Sequence, residues 1–204
     1  MNQWEQIPKD SIIKTTTNAL NANGIETIVV ANRKEAKQKL FELLPPKAEV
    51  MQMTSKTLDT IGASEEINTS GRYNSVRNQL MAMDRKTQGN SMQKLGAAPD
   101  WAVGSVHAVT QDGKVLVASN SGSQLPAYVY GASHVLWVVG AQKIVKTIDE
   151  GMKRIYEYSL PLESERARKA YGVSGSFVSK LLIINKEQTP KRITMILVKE
   201  KLGF

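Results

Sequence analysis

The feature that most constrains this chain is a set of short, unbroken apolar runs at residues 28–31, 115–118, 135–139, 181–184 and 193–198. A strand with one wet face alternates apolar and polar residues, and these runs do not alternate. Both faces of each are therefore expected to be covered, as in a largely parallel sheet between helices. Helix starts fall between the runs. Asn32 precedes Glu35 by three residues, and Thr147 precedes Glu150 by three, so in each pair two side chains can satisfy orphaned backbone donors. Behind the first, Ala36, Leu40, Leu43 and Leu44 share one helical face; behind the second, Ile148, Met152, Ile155 and Tyr156 do. Asp10 opens a further helix, with Ile12, Ile13 and Leu20 inward and Gly24 as its stop. Tyr73, Val76, Leu80 and Met83 predict another over residues 73–84.

This alternation, from residue 10 to about 160, predicts an α/β fold: a layered, mostly parallel sheet with flanking helices. Asp112-Gly113 is a hairpin turn signal and makes one strand pair antiparallel. No repeat or Pro/Ser-rich linker divides the chain, so one domain over residues 1–204 is expected, with residues 86–100 as its least regular part and a candidate mobile loop or lid.

Composition removes several chemistries. The absence of cysteine excludes a disulfide scaffold, a thiol nucleophile and cysteine-held zinc or iron–sulfur sites. The two histidines, His107 and His134, lie far apart in sequence, so no metal site and no cofactor are expected. The longest apolar runs fall well short of the roughly 20 residues of a membrane span. With no signal-like N-terminus, the expected location is the cytoplasm. The net charge of +8 is spread along the chain beside acids, without basic blocks or an aromatic–basic stripe. That argues against nucleic acid and for a solvated basic surface or a small anionic ligand.

In open α/β sheets, ligands bind beyond the carboxyl ends of strands. Thr54, Ser55, Lys56 and Thr57 follow a strand expected at residues 49–53 and precede a helix, a position suited to a phosphate or carboxylate, although Ser55 is equally explained as an N-cap. Gly122, Ser123 and Gln124 follow the run at 115–118 and could form a backbone nest, though this loop matches neither the phosphate-loop nor the dinucleotide pattern. Gly104 and Ser105 lead into His107, a candidate acid or base that is more simply structural. Asp59 and Asp112 could supply carboxylates if the fold brought them together, although Asp112 reads better as a turn residue. Lys143, just past a strand, could meet a ligand anion or simply face water.

The stretch from Trp101 to Arg154, with Ala108-Val109-Thr110-x-Asp112-Gly113 and Val139-Gly140-x-x-Lys143-Ile144-Val145-Lys146, resembles the LUD (lactate-utilisation) domain family. Residues 54–62, 161–166 and 192–203, including Ile196-Leu197-Val198, are similar and in the family's order. The resemblance implies a fold like that of ribose-5-phosphate isomerase, glucosamine-phosphate deaminase and CoA-transferases. It also implies a place in oxidising L-lactate to pyruvate beside iron–sulfur subunits, without assigning catalytic residues. Two departures stand out. Residues 169–180 carry no cysteine where many relatives have a cysteine-rich stretch, and His107 stands where relatives often have asparagine. Three readings stay open: an accessory subunit binding an anionic metabolite, a stand-alone enzyme on a sugar phosphate or acyl-CoA using Asp59 or Asp112, and a metabolite-sensing regulator.

Overall fold

The computed structural model describes residues 2–204. In chain order its elements are α1 (Asp10–Ala22), β1 (Glu26–Val30), α2 (Arg33–Leu43), β2 (Glu49–Gln52), α3 (Lys56–Thr60), α4 (Ala63–Thr69), β3 (Asn74–Ser75), α5 (Val76–Ala82) and α6 (Arg85–Ala97). There follow β4 (Trp101–Gly104), β5 (Ala108–Thr110), β6 (Val115–Ser119), β7 (His134–Gly140), β8 (Ile144–Val145), α7 (Ile148–Arg154), α8 (Leu160–Tyr171), β9 (Lys180–Ile184) and β10 (Ile193–Val198).

Six strands form an all-parallel sheet in the order β1-β10-β7-β4-β2-β3, so the layered α/β expectation holds. The other four form a second sheet, β8-β5-β6-β9. Here the expectation needs correcting, because the runs at 115–118 and 181–184 lie in this second sheet as an antiparallel pair. The Asp112–Gly113 hairpin joins β5 to β6, with Gly113 at φ 82°, a conformation only glycine adopts at little cost.

Alternation appears once the partners are known. Val135, Trp137, Met195 and Leu197 face a core shared with α1, Val109, Val115 and Val117. Their neighbours Leu136, Val138, Ile196 and Val198 face α2, α3 and α4. The far side of the small sheet, through Leu116 and Ala118, packs on Ile155 and Tyr158. The layers are therefore helices, large sheet, small sheet with α1, and a final helix.

The capping signals are realised with one shift. Asn32 Oδ1 accepts from the Glu35 N–H at 3.0 Å, while the Glu35 carboxylate accepts from Ala31, one residue earlier than expected. Thr147 and Glu150 do the same, the glutamate reaching Lys146 N–H. The helix expected over 73–84 begins only at Val76, because Ser75 caps it and residues 74–75 pair with β2. Residues 86–100 are no loop: most belong to α6, capped by the Asp84 carboxylate. The carboxyl ends of β2, β4 and β7 point the same way, and the chain leaving them builds the site.

Candidate functional site

Each of those ends contributes one wall. Past β2, Met53–Thr54–Ser55 crosses to α3, where the Ser55 hydroxyl accepts from Leu58 N–H at 3.4 Å. Past β4 come Ser105, Val106 and His107. Past β7, a single turn (Ala141–Lys143) sends the Lys143 side chain back inward. The small sheet adds Ala118 and Ser119 with the loop through Gln124. The remaining wall is one continuous helical stretch, α7 to α8, interrupted by a π-helical turn at Ile155–Ser159. Such turns widen a helix locally and recur at functional sites. Together these segments enclose a cavity of about 270 Å³, a volume suited to a small metabolite.

Lys143 lines this cavity and is only 2% exposed. Its Nζ lies within hydrogen-bond distance of Thr57 Oγ1 (3.2 Å), Ser105 Oγ (3.1 Å) and the Val106 carbonyl (3.0 Å), and donates to the carbonyl. No carboxylate pairs with it among the described residues. Burial, and then the nearby Arg154 charge, hold its amine well below the ordinary lysine range. Arg154, fully buried behind His107, donates through Nη1 to the His107 carbonyl (2.5 Å) and to Ser159 Oγ (3.1 Å). Its guanidinium stacks 5.2 Å from the Tyr158 ring. The Nε and Nη2 atoms have no partner, and burial lowers the group to about 10.

His107 is contacted by Arg154 through its carbonyl and shares the cavity wall with Lys143. Its Nδ1 accepts from Ala118 N–H at 3.1 Å, so the neutral ring carries its hydrogen on Nε2. Burial first, then Lys143 and Arg154, push its pKa to about 3. Of the two readings of His107, the structural one fits this setting: near neutral pH the ring is a neutral hydrogen-bond donor.

Four basic side chains, Lys56, Arg77, Lys143 and Arg166, stand in the cavity wall against one acidic side chain, Glu163. Glu163 is already spent, accepting from Arg166 at 2.7 and 2.6 Å. Arg77 reaches across to Thr54 Oγ1 at 3.0 Å.

Of the residues singled out in the sequence, Thr54, Ser55, Thr57, Ser105, His107, Ser123, Gln124 and Lys143 line this cavity. Gly104 lies just behind it, where an added Cβ would sit 1.8 Å from the Tyr128 hydroxyl. Gly122 is outside the wall, and the loop is not an open nest. Its amide donates to Ser119 Oγ (2.8 Å), and Ser123 N–H to Ser121 Oγ (3.3 Å), so both donors are used internally. The two carboxylate candidates are corrected as well. Asp59 is exposed, accepting from Ser64 at 2.7 Å with Lys56 3.7 Å away. Asp112 is exposed in its turn, paired with Lys114 at 2.5 Å. Neither reaches the cavity. Sequence reasoning missed Arg154, Arg77 and the Glu163–Arg166 pair, because basic residues on helices ordinarily read as solvated or as complements of a helix C-terminus. Among the described residues no three His, Cys, Asp or Glu side chains converge. The chemistry on offer is that of amines, guanidines and hydroxyls.

The pattern defining the LUD domain matches residues 13–199. A crystal structure described as a DUF162 family protein from Deinococcus radiodurans superposes with a TM-score of 0.58 at 12% identity, covering 95% of this chain and 99% of that one. That likeness concerns the fold. No curated protein matches significantly.

Proposed function

The chain belongs to the LUD domain family, and from that membership we propose that it binds a small anionic metabolite, of the carboxylate or phosphate type, in lactate or related organic-acid utilisation. The observation that carries this reading is the charge of the cavity wall, where Lys56, Arg77 and Arg166 face a single acidic side chain, Glu163, that Arg166 already occupies. Cationic groups gathered on a cavity with too few acids to match them favour the entry of an anion. Thr54, Ser55, Lys56 and Arg77 would hold the anionic end, with hydroxyls and a guanidinium suited to carboxylate or phosphate oxygens. A role as accessory subunit beside iron–sulfur partners in the cytoplasm belongs to the same reading, as does kinship with the ribose-5-phosphate isomerase and CoA-transferase folds. The isomerase-type alternative loses its expected carboxylates, since Asp59 and Asp112 stand away from the cavity.

Calorimetric titration of the full chain with L-lactate, pyruvate, inorganic phosphate and acetyl-CoA tests it. Saturable one-site binding of at least one anion is expected, weakened roughly tenfold or more in Arg77→Ala. No binding of any of the four would overturn the proposal.

A further inference from the structure

We propose that Lys143 is a reactive amine that forms an imine with the carbonyl group of the bound anion, so that the substrate class is a small 2-oxo acid or keto phosphate. This rests on the anion-binding reading of the same cavity and goes further by naming a bond.

The first observation is geometric. Lys143 and all three groups it bonds belong to the cavity wall. The second is the sense of those bonds. Thr57 Oγ1 already donates its hydrogen to the Leu202 carbonyl at 3.2 Å, so towards Nζ it can only accept. The Val106 carbonyl can only accept. The Ser105 hydroxyl, 3.1 Å away, is free to donate. With the Ser105 hydroxyl turned to donate, these three groups are the complement of a neutral amine, which has two N–H bonds and one lone pair. The third is electrostatic: the lysine has no acid partner, and Arg154 opposes its protonation. Lysines desolvated beside another cation are those whose amines serve as nucleophiles.

A ligand with its anionic end at Thr54 and Arg77 would extend its carbonyl towards Nζ, with the His107 Nε2–H available to polarise the oxygen. When the Ser105 hydroxyl releases the lone pair, Nζ attacks the carbonyl carbon and a C–N bond forms. One nitrogen-bound proton passes to Ser105 as Ser105 gives its own to the oxygen, leaving a carbinolamine. The remaining N–H proton then leaves by the same relay with the hydroxyl group. The C–O bond breaks, water departs, and the C=N bond remains. No oxidant or reductant is required.

The test incubates the full chain near neutral pH with sodium cyanoborohydride and either pyruvate or dihydroxyacetone phosphate, followed by intact mass and peptide mapping. The expected result is a single reduced adduct on Lys143, formed roughly 100-fold faster than on any exposed lysine, whose amine is almost wholly protonated at that pH. L-Lactate and inorganic phosphate, which have no carbonyl, should give no adduct and should slow labelling by the other two. Labelling by pyruvate alone assigns a carboxylate ligand; labelling by dihydroxyacetone phosphate alone assigns a phosphate. Because the adduct is mapped in the unmodified sequence, no variant has to fold; Lys143→Arg, if folded, should lose the adduct. Calorimetric binding without an adduct on Lys143, or labelling spread evenly over surface lysines, overturns the imine and leaves the anion site standing. Absence of binding by every anion overturns both.

Discussion

Replacing Lys143 by methionine should produce a stability difference that changes sign with pH. The unfolded chain protonates this lysine below its ordinary value near 10.5, whereas the folded chain, with the amine buried and unpaired, resists protonation until well below it. Between those limits the unfolded state binds more protons than the native state, so wild-type stability rises with pH and falls as pH is lowered. The slope is about 1.4 kcal/mol per pH unit for one proton. The variant lacks this dependence. Above the ordinary lysine value both states of the wild type are neutral, and the variant differs by the hydrogen bonds it has lost. With the Val106 carbonyl and Ser105 hydroxyl deprived of their partner, that is about 1–3 kcal/mol in favour of the wild type. Lowering the pH erodes this advantage, so the curves should cross roughly one to two units below the ordinary value. Towards neutral pH the methionine variant should be the more stable. Urea unfolding of both proteins in matched buffers from pH 7.5 to 10.5 measures the difference, with shared titrations cancelling. A difference independent of pH would mean that folding leaves the proton affinity of Lys143 unchanged, and the reasoning from burial to a neutral amine would fail.

Three further outcomes follow from other parts of the molecule. His107→Asn keeps a side-chain acceptor for Ala118 N–H but removes a ring whose pKa falls from 6.5 to about 3; urea midpoints should show the wild type losing up to about 1.4 kcal/mol per pH unit as pH drops below 6.5, with a flatter variant, and parallel curves would contradict it. Arg192 is buried with Glu187 at 2.8 Å and also donates to the carbonyls of Ala132, Tyr128 and Val129. Arg192→Met should therefore cost about 3–5 kcal/mol, seen as a drop in Tm of roughly 10 °C, and a loss under about 1 kcal/mol would refute this. Gly104→Ala drives a methyl into the Tyr128 hydroxyl and should cost about 1–3 kcal/mol or more, with partial rescue by Tyr128→Phe in a double-mutant cycle; simple additivity would show that the close approach is not the cause.

The legible parts of this protein were those governed by local chemistry. The Asn32 and Thr147 caps, the Gly24 stop and the Asp112–Gly113 hairpin depend on a few adjacent residues and could be read directly. The burial of both faces could also be read for the runs at 115–118, 135–139 and 193–198, but not for 28–31, where Val29 is exposed on the edge strand, and which sheet a run joins could not. Val115–Ser119 and His134–Gly140 are similarly apolar, yet one is antiparallel in the small sheet and the other central in the large one. Helix α6 escaped notice because only Gly96 on it is buried, leaving no apolar stripe to betray it. For the site, Thr54, Ser55, Ser105 and Lys143, singled out by the rule that ligands gather at strand ends, line one cavity. The rule could not reveal that Lys143 lacks an acid, because a missing partner is a property of the folded surroundings. Arg154 was invisible for the same reason.

The order of strands in the large sheet has a consequence for how the chain comes together as it is synthesised. β1 lies at an edge and its sole neighbour is β10, with Glu26 opposite Thr194 and Val30 opposite Val198. Strand β7 likewise waits for β10 on one side. An N-terminal strand that emerges early thus has no ladder to join until nearly the whole of the described chain has left the ribosome. Closing so long a loop is slow, and an unpaired apolar strand is prone to wrong partners meanwhile. The residues 193–198 act as the keystone of assembly: a chain arrested before them leaves two strands open at once.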